Sequence, residues 1–169
     1  QDGLHIYTTI DSRMQQYAEE AVNEHIQDLQ KSFFREKRKK SYAPFSQDLT
    51  AEDIDAIMNR SMRQTDRYRG LKKQGVSETD IRQVFNTPVP MRIFSYSGMI
   101  DTTMTPMDSI RWNKHFLRCG FMSMDTHSGA VKAYVGGPNF AHFQYDMVTT
   151  GRRQVGSTIK PYLFTLAMD

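Results

Sequence analysis

Gly151-Arg152-Arg153-Gln154-Val155-Gly156-Ser157-Thr158-Ile159-Lys160-Pro161-Tyr162-Leu163-Phe164 sets a serine directly after a glycine and a lysine three residues after that serine. An apolar, helix-compatible tail follows. If Ser157 opens a helix, Lys160 lies one turn on and on the same face, so its amine reaches the Ser157 hydroxyl. That is a nucleophile beside its base. A helix N-terminus and burial both favour the neutral amine, and a lysine near its ordinary ~10.4 is a poor base at neutral pH. The competing reading is a serine cap with a solvated lysine in the first turn. On the bare S-x-x-K spacing, the cap is the commoner case.

The 169 residues suffice for one domain with a modest core. Hydrophobic residues at 38% and charged residues at 24% indicate a globular rather than a disordered chain. A net charge of +3 does not demand a nucleic-acid partner. Cys119 is the single cysteine, so no internal disulfide forms. The five histidines lack metal-ligand spacing. No apolar run reaches the length of a membrane span, and no leader pattern opens the chain. The sequence stops inside an apolar run at Asp169, which reads as a fragment.

Working outward, Phe121–Asp125 and Ala130–Gly137 read as two strands around the turn Thr126-His127-Ser128-Gly129. Gly136-Gly137 lacks the later Gly-Lys-Ser/Thr of a phosphate loop, so the pair is expected to let the chain turn sharply off the sheet edge. Met91–Tyr96 and Met99–Thr105 form a hairpin turned at Ser97-Gly98, and Thr105-Pro106 caps a helix. Trp112 on that helix reads as a packing residue ahead of a sugar platform. At the other end, Gly3–Thr9 alternates as a strand. Asp11 or Ser12 then caps a helix with an apolar stripe of Met14, Tyr17, Ala18, Ala21, Val22, His25, Ile26 and Leu29. His25 on that stripe reads as a packed, hydrogen-bonded histidine.

Residues from about Lys31 to Pro90 differ in character. Phe33-Phe34-Arg35-Glu36-Lys37-Arg38-Lys39-Lys40 is a basic run with an aromatic head. It fits a solvated helix end better than an anionic-surface binder. Thr50-Ala51-Glu52-Asp53 is a capping-box variant opening a helix that runs to about Lys73, and Ser77 starts a shorter helix with Ile81, Val84 and Phe85. We read 31–90 as a basic helical insertion with an electrostatic docking surface.

Arg153-Gln154-Val155-Gly156-Ser157-Thr158-Ile159-Lys160-Pro161 resembles the active-serine segment of penicillin-binding proteins, R-Q-P-G-S-x-x-K-P, with Val155 in place of proline. Met124-Asp125 through Gly137 resembles the first hairpin of their transpeptidase sheet. Met91–Tyr96 with Asp101–Ile110, and Leu4–Asp11 with the helix after it, resemble segments of the class A, bifunctional members. The resemblance covers about 3–29 and 91–169 and not the segment between. It implies an α+β fold: part of a transpeptidase domain with a helical insertion. The divisions are 1–30 (linker strand and helix), 31–90 (insertion), 91–118 (hairpin and helix) and 119–169 (start of the core).

The resemblance further implies a D,D-transpeptidase that cross-links peptidoglycan stem peptides ending in D-Ala-D-Ala and is acylated by β-lactams. Ser157 would be the nucleophile and Lys160 its base, with no metal or organic cofactor. The parent would also be a glycosyltransferase, anchored on the extracytoplasmic (periplasmic) face of the bacterial membrane. Neither S-x-N nor K-T-G follows Ser157, so this chain alone is expected to be inactive. Its tail from about Gln144 is expected to be mobile or held by another copy, and residues 32–88 are expected to be removable without loss of acylation. Two other classes remain at this stage: a non-catalytic module binding a partner or a membrane surface, and a serine β-lactamase or β-lactam sensor.

Overall fold

A computed structural model describes residues 3–168. The chain is a mixture of helix and strand with two separate two-stranded antiparallel sheets, which is α+β as expected. It divides into two compact units. One comprises Asn23–Leu117; the other comprises the residues up to Val22 and those from Arg118 onward. Helix α1 (Ser12–Lys37) contributes its first half to the second of these and its remainder to the first. Residues 31–90 and all of 91–118 but Arg118, two separate divisions in the sequence, therefore share one unit.

The Asn23–Leu117 unit holds α2 (Ala51–Arg63), α3 (Asp66–Lys73), α4 (Glu78–Asn86), the hairpin β1 (Val89–Ile93) and β2 (Ile100–Met104), and α5 (Pro106–Lys114). Helices α2 to α5 each start at a hydroxyl: Thr50, Thr65, Ser77 and Thr105 accept from the amides of Asp53, Tyr68, Asp80 and Asp108. The capping box at Thr50 forms as read. The single helix expected to reach Lys73 does not. It breaks at Gln64, because Thr65 is extended and caps α3 while its hydroxyl donates to Met62 O at 2.7 Å. This local pairing competes with helix continuation. Met62, Ile81 and Phe85 are fully buried and pack with Tyr68, Leu71, Met107 and Ile110. A second cluster places Phe34 on Trp112 at 5.6 Å, with Phe116 edge-on to both and Phe94 and Tyr96 edge-on to Phe116. Trp112 is a packing residue, and its indole N–H donates to Phe94 O. Phe34 is likewise removed from the solvated run in which it was read. Phe85, Met62 and Ile81 each contribute about 1.5–3 kcal/mol by leaving water, so residues 40–90 build this core together with α5 rather than standing apart from it.

In the other unit, β3 (Phe121–Met124) pairs with β4 (Val131–Val135) around a turn whose amides are collected by Asp125. Ala18 and Val22 of α1 pack on Ala133 and Val135. Gln15 clamps β4 by donating to Tyr134 O and accepting from Tyr134 N. Three sequence expectations change here. Residues 3–8 are not a strand: Leu4, Ile6 and Tyr7 are more than 80% exposed, and the segment meets β4 only where Thr9 Oγ1 donates to Val131 O and Asp11 N donates to Lys132 O. Alternation alone does not make a strand where no ladder is offered. His25 is exposed rather than packed. Contact along α1 follows Ala18, Val22, Ile26 and Gln30, and buried Gln30 takes the role that the apolar stripe gave to Leu29. Finally, the chain beyond Gln144 is not free as far as Gly151, since the Tyr134 hydroxyl of β4 bonds Asp146 and Thr149, and Met147 N donates to Gly136 O just past that strand.

Candidate active site

Beyond Gly151 the chain is exposed throughout the described residues. Gly156–Ile159 forms a single 3-10 turn, Gly156 having a φ of +52°, and α6 (Lys160–Met168) continues from it. Ser157 thus lies in the opening turn, and Lys160 N–H donates to Ser157 O. The expected one-turn spacing is present. The expected burial is not: Ser157 and Lys160 are both exposed, and no hydrogen bond joins Ser157 Oγ to Lys160 Nζ. Helix α6 is apolar around its whole circumference, with Tyr162, Leu163, Phe164, Leu166 and Met168 all more than half exposed. Such a helix belongs to an interior.

The segment departs from a tightly bonded turn. Asp146 Oδ1 accepts from Val148 N at 2.8 Å and Thr149 N at 3.2 Å. Its Oδ2 accepts from Thr149 Oγ1 at 2.7 Å and from the Tyr134 hydroxyl. These bonds, the one from Tyr134 first, hold the carboxyl down to about 2, and the same pairing raises the Tyr134 phenol. Met147 N donates to Gly136 O at 2.7 Å. A Cβ on Gly136 would stand 3.2 Å from Asp146 Oδ1, and one on Gly151 only 2.6 Å from Met147 O. Gly136 therefore admits the returning loop against β4; it is not in the left-handed region that a sharp glycine turn would use. Sequence reading placed Asp146 in this loop without a role. The only signal was a turn-forming Asp followed three residues later by Thr; its partner Tyr134 is revealed by the tertiary contact.

Residues 40–117 match the penicillin-binding protein middle domain. Along its whole length the chain is 26% identical to penicillin-binding protein 1A of Escherichia coli, covering 23% of that protein. It is 45% identical over 29% of its length to penicillin-binding protein 1A of Vibrio cholerae, covering 6% of it. It is 23% identical over 76% of its length to penicillin-binding protein 2D of Bacillus subtilis, covering 18%. The chain thus spans less than a quarter of each of these relatives. No solved structure matches. The middle-domain match runs through residues 40–90, where the sequence reading saw no likeness to the family. No helix among the described residues is long and apolar enough to cross a membrane. By these matches the chain is similar to a stretch of penicillin-binding proteins, with residues 40–117 corresponding to their middle domain.

Proposed function

We propose that this chain is part of a peptidoglycan D,D-transpeptidase whose acyl-enzyme forms on Ser157. The observation that carries the reading is the Arg153–Pro161 pattern, with Ser157 and Lys160 one turn apart at the start of an apolar helix. The Lys160 amine takes the Ser157 proton, and Oγ attacks the carbonyl of the penultimate D-alanine. The peptide C–N bond breaks, and D-alanine leaves with the proton on its amine. An amine of a neighbouring stem peptide then attacks the ester, restoring the serine hydroxyl. The Ser157 amide supplies one oxyanion donor. β-Lactams open on the same serine and leave slowly.

The parent would also carry glycosyltransferase activity and be anchored on the extracytoplasmic face of the membrane. Residues 31–90, in which Arg and Lys outnumber Asp and Glu, would offer a basic surface to a protein or lipid partner. The test is Ser157→Ala in the full-length polypeptide. Penicillin should leave a penicilloyl adduct on the wild type by mass spectrometry and none on the variant, whose fold survives. An adduct that persists in the variant removes the assignment.

A further inference from the structure

We propose that Asp146 is a positioning residue for Ser157, latching onto Tyr134 the turn from which the serine segment departs. The inference rests on the reading of Ser157 as nucleophile. Besides the side-chain bonds already described, the Asp146 carbonyl accepts from Thr150 N at 3.2 Å and Gly151 N at 3.0 Å, and Tyr145 Oη donates to Thr150 O at 2.8 Å. Tyr134 sits on β4, whose backbone at that residue is clamped by Gln15. Between Gly151 and Gly156 the residues are exposed and make no hydrogen bond back to the sheet or loop. Gly151 is thus the last fixed point before Ser157, six residues away.

Without the latch, the next fixed point back is Met147, whose N–H donates to Gly136 O at 2.7 Å independently of the Asp146 side chain. The free tether then lengthens from six residues to ten. The volume open to Ser157 grows with roughly the three-halves power of that length, so its local concentration at the reacting position falls about twofold. With its carboxyl held to about 2, the latch stays closed across the working pH range.

The experiment compares wild type, Asp146→Ala, Asp146→Asn and Tyr134→Phe in the full-length polypeptide. Hydrogen exchange is followed over residues 143–151, and acylation by a fluorescent penicillin is followed to saturation. In Asp146→Ala the amides of Val148 and Thr149, which lose their carboxylate acceptor, should exchange faster. The saturating acylation rate should fall about twofold, with the non-covalent penicillin Kd unmoved. Asp146→Asn keeps an acceptor for the turn amides and should recover most of the rate. Should Asp146→Ala not fold, Tyr134→Phe, which lacks one hydroxyl, serves in its place with a smaller change in the same direction. A loop that opens while acylation holds its wild-type rate overturns the positioning role, and unchanged exchange overturns the latch. A change in Kd alone, or a loss that Asp146→Asn does not recover, also counts against it. A wild type that is never acylated overturns the reading of Ser157 and this role with it, while exchange still reports separately on the latch.

Discussion

At the scale of single residues, polar side chains set much of this fold. Gln15 and Gln30 each use both ends of a carboxamide to satisfy backbone that has no ladder partner: Gln15 at Tyr134, and Gln30 at His115 O and Leu117 N. Gln30 is 3% exposed, yet nothing in a helical stripe marks a glutamine as interior. Asp146 is the strongest such case. Because its carboxyl is depressed, its contribution to stability is present above the ordinary carboxylate range and is lost as pH falls toward about 2. Tyr134→Phe removes the first cause of that depression. The Asp146 pKa, followed by carbon-detected NMR, should rise toward the ordinary value of 3.8, and an unmoved midpoint would contradict the bond.

Elements in this chain begin where the sequence says and end where local chemistry intervenes. The pattern of Ser or Thr three residues before Asp occurs at Thr8, Thr50, Ser77 and Thr105, and the last three are helix starts. Thr65 has Tyr68 rather than an acid three residues on, yet it caps α3 as well. The segment is then closed by Glu78, which meets Lys72 at 2.9 Å and Tyr68 Oη at 2.9 Å. The Lys72 bond comes first in lowering the Glu78 carboxyl, and Glu78 in turn raises the Lys72 amine. Thr65→Ala should cost about 1 kcal/mol, or roughly 4–8 °C in the Tm of a unit of this size, measured by thermal denaturation. A variant with unchanged Tm would mean that the break between α2 and α3 is set elsewhere.

For the whole molecule, the largest revision concerns residues 32–88. Composition alone marks them as removable, but Met62, Ile81 and Phe85 share a core with Met107 and Ile110, and Phe34 stacks on Trp112. Deleting 32–88 should expose these partners and strip residues 91–117 of hydrogen-exchange protection, whereas retained protection would restore the view of an insertion. The 169-residue chain by itself should be acylated poorly by excess penicillin, as measured by intact mass beside the full-length polypeptide. It offers one oxyanion donor, each such donor being worth roughly 10²–10³ in rate, and no S-x-N or K-T-G follows Ser157. It should also self-associate through α6 and the open edge of β3, where Phe121, Met122 and Met124 are 41–48% exposed. Rapid stoichiometric labelling of Ser157 would show that the site is built far more locally.

The sequence by itself determined the features that depend on neighbours within a turn. These are the helix caps at Thr50, Ser77 and Thr105, the glycine-closed hairpins β1–β2 and β3–β4, and the spacing that brings Ser157 and Lys160 one turn apart. Tertiary structure decided what depends on a partner distant in the chain. It denied the alternating residues 3–8 a ladder, turned His25 outward and Gln30 inward, and joined residues 40–90 to α5 in one core. It also set Asp146 against Tyr134. The reason is physical: propensity and capping act over three or four residues, whereas burial and hydrogen-bond satisfaction are settled by whichever surface the folded chain brings alongside.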